Sequence, residues 1–325
     1  MPGLTRRLLS RAPSPSGAGS ERDRGAITAL TSLALIPIIA VMAVGADGGR
    51  VFVENQRVKT ASEAAAMAAA GDWVATGVPC TSSALAYVGR NADSSAVSQC
   101  SSTGARYSGV VTVNVTKDVS ALFGSIIGRD RSTVQSSASV RVLPVGGITG
   151  LRPTALCENS AALVAWRASG FSTSQVFTVD FNNTCAGVPG NWGVLDFDGG
   201  ANRTPDLQEW INNGYPGKVS IGQEFNGDPG IPSPALGVNA IVGQTITVPV
   251  FDRVRLQGST SVFRVASFVT MDVVSERLNG SASTRNIAVR FRTRAVPGAS
   301  TSPTAPNNGV VTWSPCQLDG NGACS

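Results

Sequence analysis

Three aspartates beside a glycine pair carry the most suggestive chemistry in this chain. Asp196 and Asp198 alternate in Asp196-Phe197-Asp198-Gly199-Gly200, and Asp206 follows shortly after. Alternate carboxylates at a glycine turn can converge on one hard cation together with a backbone carbonyl, so the segment is a candidate calcium site. The spacing does not continue to a bidentate Glu, which excludes an EF-hand. The plainer expectation is a strand leaving into a turn. Residues i and i+2 of a strand point to the same side, so Asp196 and Asp198 could also form the carboxylate pair of a glycoside hydrolase. Nothing else in the sequence supports that hydrolase, and it is the minor alternative. Trp192, Trp210 and Tyr215 lie close by. They could form a platform for a sugar or peptide, but scarce aromatics more often anchor a core.

Other chemistries are excluded by what the chain lacks. It has no histidine, so Ser-His-Asp and Cys-His nucleophiles and His-type zinc sites are impossible. Lysine occurs only at Lys59, Lys117 and Lys218. Six cysteines remain: Cys80, Cys100, Cys157, Cys185, Cys316 and Cys324. No Cys-x-x-Cys occurs, and an even count in an exported chain reads as disulfides. Six cysteines allow 15 pairings. The local set 80–100, 157–185 and 316–324 is the simplest, and sequence alone does not choose it.

The compartment follows from one element. Residues 26–46, AITALTSLALIPIIAVMAVGA, form a 21-residue run without charge between Arg24 and Asp47. A helix of ~20 apolar residues spans a bilayer. Arg6, Arg7, Arg11, Arg22 and Arg24 stand before it against Glu21 and Asp23. That basic bias predicts a cytoplasmic N-terminus and an extracytoplasmic remainder. A signal peptide cut near Val44-Gly45-Ala46 is the alternative. The run exceeds the ~7–15 residues of a signal-peptide core, which favours a retained anchor.

Beyond the anchor the composition is that of a β-rich exported protein. Charged residues make up 14%, hydrophobic residues 42%, and there are 36 Gly and 18 Pro. The formal net charge is +5, and three units of it come from the N-terminal tail. Without a basic stripe, nucleic acid is not an expected partner. The expected fold is a single transmembrane α-helix continued by an Ala-rich helix, then a β-rich (α+β) disulfide-containing ectodomain. Its expected divisions are a basic tail (1–25), the span (26–46) and an Ala-rich juxtamembrane helix (47–71). A first β-rich unit (72–147), a second (148–297), a linker (298–309) and a cysteine-loop segment (310–325) follow.

Small residues at helical spacing, Ala61, Ala65 and Ala68, predict a close-packing face on the juxtamembrane helix, ended by Gly71. That face could pack on the chain's own domain or into an assembly. Alternation predicts strands at 110–115, 136–142, 176–181, 245–250, 262–274 and 286–293. Short helices are expected at 83–91 and 206–213, with an apolar helical turn at 121–127.

The N-terminal block resembles the tight-adherence (Tad/Flp) pilus-assembly proteins of the TadE/TadG-like family. The residues concerned are Arg24-Gly25, the span, Asp47-Gly48-Gly49-Arg50, and Ser62-Glu63-Ala64-Ala65-Ala66. The strand, Leu-Phe turn and strand of 110–142 continue the likeness, as do GNWGVLDFDGG (190–200) and EWINNGYPGKVSIG (209–222). Prepilin-like members are cut after a Gly that is followed five residues later by Glu. Here Gly25 is followed by Leu30, which is closer to the TadG-like branch. The Asp-x-Ser-x-Ser metal motif of some TadG-like members is missing, since Asp93-Ser94-Ser95-Ala96-Val97 lacks its last Ser.

The resemblance implies a non-enzymatic, membrane-anchored accessory or minor component of a pilus assembly system. Its partners would be the membrane and other pilus-assembly proteins. No small-molecule substrate and no cofactor other than the candidate calcium are expected. An exported ligand-binding or adhesion module, for calcium or a glycan, is the alternative.

Overall fold

A computed structural model describes residues 20–180, 194–199, 204–227, 241–255, 261–277, 286–319 and 324. The chain is a long apolar N-terminal helix followed by a β-rich, disulfide-bearing α+β region. It divides into two compact units, one of residues 1–54 and 118–133, the other of 55–117 and 134–325.

Helix α1 (Ser20–Thr76) is 57 residues long and contains Pro37. Within it lies a stretch with mean hydropathy 2.4, long and apolar enough to cross a membrane. Gly71 does not end the helix, contrary to the sequence expectation. The chain stays helical to Thr76, where Gly77 takes φ +84° and donates to the Trp73 carbonyl at 2.9 Å. Tertiary packing outweighs the weak helix propensity of glycine here. A Cβ at Gly71 would lie 3.3 Å from the Trp313 ring, so glycine admits that ring.

The first sheet contains β1 (Val97–Thr103), β2 (Val110–Ser120), β3 (Arg131–Ile148), β14 (Val310–Cys316) and β12 (Arg294–Ala295), in that order. Short strands β7 (Val219–Ser220) and β13 (Ser300–Thr301) pair with the end of β3. Strand β14 runs antiparallel to β3, with Trp313 opposite Val142 and Cys316 opposite Ser139. The compositional linker 298–309 is therefore partly strand, and the C-terminal segment is an interior strand of this sheet. The backbone groups of β3 past residue 138 need partners, and a distant segment supplies them.

The second sheet contains β4 (Leu156–Cys157), β5 (Phe177–Asp180), β6 (Leu195–Asp196), β8 (Glu224–Gly227), β9 (Thr245–Arg255), β10 (Val262–Arg277) and β11 (Asn286–Arg292). Its main path runs β4-β9-β10-β11-β5, with β8 pairing β10 and β6 pairing β8. Helices α2 (Ser82–Ala92), α3 (Ala161–Ala168) and α4 (Thr204–Asn213) complete the elements, with a 3-10 turn at Gly124–Ile127. Thr81 caps α2 and Ser160 caps α3, each accepting a backbone N–H of the first turn. The alternating burial of β11 and the near-continuous burial of β10 place both faces of β10 in packed surroundings. The core centres on Trp166, which has no exposed surface and packs on Phe171 and Phe291 at 5.0 and 4.9 Å between ring centroids.

Two of the expected disulfides are present, Cys80–Cys100 and Cys316–Cys324. Cys157 is also disulfide-bonded. Cys185 lies outside the described residues.

Candidate functional site

The apolar part of α1 has no protein cover. Leu30, Leu35, Ile36, Ile38, Ile39 and Val44 are between 46% and 69% exposed, and at 3.6 residues per turn they point to all sides of the helix. A helix apolar all round needs an apolar surrounding, and none of the most hydropathic window is buried in the protein. Gly25, at the start of this stretch, is helical and exposed, and Arg24 precedes it in the same helix.

Asp47 closes the uncharged run and does specific work. Its carboxylate accepts the backbone N–H groups of Leu122 (2.7 Å), Phe123 (3.0 Å) and Gly124 (2.7 Å). The bond from Leu122 foremost, with those from Gly124 and Phe123, holds its pKa below the ordinary carboxylate value against the opposing effect of desolvation. Loop 121–130 is tied internally by Ala121 N–H to the Asp130 carbonyl and by Arg129 N–H to the Gly124 carbonyl, both 2.9 Å. Sequence reading saw the Leu-Phe turn but had no means to join it to residue 47.

The small-residue face of α1 is used within the chain. Val58, Ala61, Ser62, Ala65, Ala66, Ala69 and Ala70 are buried, and Ala68 is half-buried. Ser62 Oγ donates to Ser136 Oγ of β3 at 3.1 Å, and the Trp73 ring fills the space beside Gly109. In the structure Ala61 and Ala65 are covered from within the chain. The reason is steric: alanine and glycine let a helix approach a sheet closely enough for Trp73 and Trp313 to interleave. The opposite side of the helix lines a groove of about 420 Å³ through Thr60, Glu63, Ala64 and Met67, faced by Ala138, Val140 and Pro315.

The three aspartates do not assemble. Among the described residues no group of three His, Cys, Asp or Glu side chains comes together as a metal site. Asp206 sits in the first turn of α4, where a carboxylate complements the helix dipole. Asp196 is buried, and its Oδ1 accepts the backbone N–H of Asp198 (3.3 Å) and of Gly199 (3.1 Å). It thereby closes the turn that leaves β6. Burial, then the neighbouring Asp198 side chain, push its pKa up. Trp210 is buried and Tyr215 half-buried in an aromatic cluster with Phe197 and Phe225, at 5.0–5.9 Å between centroids. They are core anchors. Trp192 lies outside the described residues.

Two arrangements escaped the sequence. A cleft of about 810 Å³ on the second sheet is lined by Arg290, Arg292 and Arg294 around Asp272. The register places Thr245, Asp272 and Arg290 in one row across β9, β10 and β11. Arg292 binds Asp272 diagonally at 2.6 Å, Thr245 donates to the same carboxylate at 2.6 Å, and Arg294 donates to Thr247. Burial raises the Asp272 pKa, but the Arg292 and Thr245 bonds outweigh it and hold the value low. Arginines at every second position were visible in the sequence, but their facing carboxylate was not. The second arrangement is a buried network. Glu158 is paired with Arg167 and accepts from Asn308 at 2.8 Å, and Asn308 also donates to Ser267 at 2.5 Å. It pins the segment before β14 to the second sheet.

Helix and domain together define a class: a β-rich, disulfide-bearing domain behind one N-terminal helix of membrane-crossing length and apolarity. Residues 25–72 match the Tad family model, described as putative Flp pilus-assembly TadE/G-like. The match covers the uncharged run and most of the Ala-rich half of α1. The likeness seen in the sequence is thus shown for this block, while the GNWGVLDFDGG segment lies beyond it. No curated protein and no solved structure matches the chain.

Proposed function

We propose that this protein is a non-enzymatic, single-pass envelope protein that serves as an accessory or minor component of a Tad/Flp-type pilus assembly system. The carrying observation is a coincidence of ranges. The first half of the Tad match at 25–72 falls on the stretch of α1 that is apolar, exposed all round and long enough to cross a bilayer. The surplus of arginine before residue 25 supports a cytoplasmic N-terminus. The disulfides Cys80–Cys100 and Cys316–Cys324 support an oxidising compartment for the β-rich domain. Leu30 in place of an acid supports the TadG-like branch. Because Ala61 and Ala65 are already used internally, contacts with other assembly proteins fall to exposed residues such as Thr60 and Glu63. The role is mechanical: α1 holds a folded domain at the membrane, within reach of an assembling filament.

Protease added to intact spheroplasts should digest the β-rich domain and leave a carbonate-resistant membrane stub. Crosslinking in cells that express the pilus system should capture other pilus-assembly proteins. A soluble mature protein starting near Asp47 would overturn the anchor. Crosslinks confined to unrelated envelope proteins would overturn the pilus assignment.

The arginine cleft favours a second function, an anchored module that binds an acidic glycan. Three guanidiniums around one carboxylate leave a positive surplus suited to carboxylate or sulfate groups. Calorimetry with an acidic oligosaccharide, repeated with Arg290→Ala, decides: heat lost in the variant supports it, and no heat with the native protein removes it.

A further inference from the structure

We propose that loop 121–130 is a second membrane contact, in which Leu122, Phe123 and Ile126 enter the headgroup layer of the leaflet where α1 leaves the bilayer. The proposal rests on the membrane anchor argued above. Four observations carry it.

The first is position. The uncharged run 26–46 is 21 residues, about 30 Å of helix and so about the thickness of the hydrocarbon core. Asp47 therefore falls at the edge of that core. The headgroup layer extends roughly 5–7 Å further. Helical side chains tilt toward the N-terminus, so the Asp47 carboxylate leans back toward the bilayer.

The second is attachment. Asp47 holds three successive backbone N–H groups of the loop at 2.7–3.0 Å. The loop backbone is thus fixed within one short side chain of the membrane edge.

The third is the exposed surface. Leu122 is 57% exposed, Phe123 42% and Ile126 82%. The loop is a built structure, closed by two internal backbone bonds and by Gly128 at φ +77°. It holds large apolar side chains outward, a poor arrangement in water and a good one at a lipid interface.

The fourth is the charge alongside. Arg129 and Arg131 follow the apolar tip in the chain with Asp130 between them, and Arg50 lies one turn beyond Asp47; all three arginines are exposed, as suits guanidiniums that meet lipid phosphates. Together these features describe an interfacial foot that fixes the tilt and rotation of the helix. A helix without such an anchor is free to rotate about its axis.

The test uses the full chain in vesicles of phosphatidylethanolamine and phosphatidylglycerol. Single cysteines replace Ile126, Ile36 in the span, and Val97 on β1, each labelled with an environment-sensitive fluorophore under non-reducing conditions. Nitroxide lipids labelled at a shallow depth should quench the Ile126 probe severalfold more than the Val97 probe, and aqueous iodide should do the reverse. Asp47→Ala should weaken lipid quenching at Ile126 while leaving that at Ile36 unchanged. Iodide quenching of Ile126 equal to Val97, with Ile36 still lipid-quenched, overturns the loop contact and leaves the anchor standing. Loss of lipid quenching at Ile36 as well means the anchor itself fails. An Ile126 probe shielded from both iodide and lipid is covered by protein, which also overturns the proposal. Unchanged Ile126 quenching in Asp47→Ala removes Asp47 as the tether.

Discussion

The apolar stretch of α1 and the core around Trp166 are built from the same side chains and treated in opposite ways. Leu33, Ile36 and Val41 are 68%, 67% and 73% exposed, whereas Leu163, Ile246 and Val248 are at most 2% exposed. In the core, apolar residues sit opposite a second layer: α3, the two sheets and the aromatic cluster cover one another. In the span they surround a single helix with no layer over it. Identical chemistry can be stable in both places only if the surroundings of the span are themselves apolar. The contrast teaches that exposure, more than hydropathy, separates a membrane segment from a core helix. The second half of α1 shows the transition within one helix, since its apolar face narrows to alanines and is covered by the first sheet.

The sharpest way to break the comparison is to damage one region and watch the other. Trp166→Ala empties the centre of the core, and such truncations typically cost about 3–5 kcal/mol. The β-rich domain should melt far lower by calorimetry or near-ultraviolet dichroism, while carbonate-resistant membrane retention stays as it was. If retention falls too, the two regions are not separable.

The reciprocal change is Ile36→Arg. An arginine at the centre of a span opposes insertion by about 3 kcal/mol. Membrane-bound protein should drop in fractionation, and the melting temperature of whatever β-rich domain is recovered should be unaltered. An unchanged membrane fraction would show that the stretch is not in lipid.

A smaller effect is expected where helix and sheet meet. Gly109→Ala places a Cβ 2.4 Å from both the Trp73 ring and the Thr103 carbonyl oxygen. Overpacking of this kind typically costs about 1–3 kcal/mol. Chemical denaturation should show a lower midpoint, and Trp73→Leu in the same background should restore part of it. A neutral Gly109→Ala would mean that the Ala-rich half of α1 is not tightly seated.

The smallest effect concerns acid. The Asp47 pKa is lowered in the folded protein, chiefly by the Leu122 N–H. A depressed carboxylate stabilises above its unfolded value, and this is lost as pH falls through the folded value. Amide exchange at Leu122, Phe123 and Gly124, corrected for intrinsic rates, should therefore accelerate only below about pH 4, with core amides unaffected. Acceleration already near neutral pH would detach Asp47 from the loop.

How much of this was legible beforehand can be judged residue by residue. The span needed only an uncharged run and its flanking arginines. The strands at 245–250, 262–274 and 286–293 appear as β9, β10 and β11, because period-two alternation is a local property. Cys80 and Cys100 pair as the local scheme expected, since a short loop leaves few other partners within reach. Strand β1 was missed because Val97–Thr103 is mostly polar and exposed, which looks like a loop. Residues 298–309 looked like a linker because Pro, Thr and Asn dominate them, yet β13 and Asn308 lie there.

What the sequence determined by itself was therefore the local grammar: where α1 is apolar all round, where its face turns to alanine, and which segments alternate. These follow from backbone geometry and side-chain type over a few residues. Only the tertiary structure decided that the alanine face is filled by the first sheet, that β14 pairs with β3 across more than 160 residues, that Asp196 closes its own turn, that Arg292 finds Asp272, and that Asp47 holds the Leu122 loop. All but the Asp196 turn, which spans three residues, join positions far apart in the chain. Such contacts form because unpaired backbone and carboxylate groups must find partners once the core excludes water, and no local pattern says which distant group will be nearest.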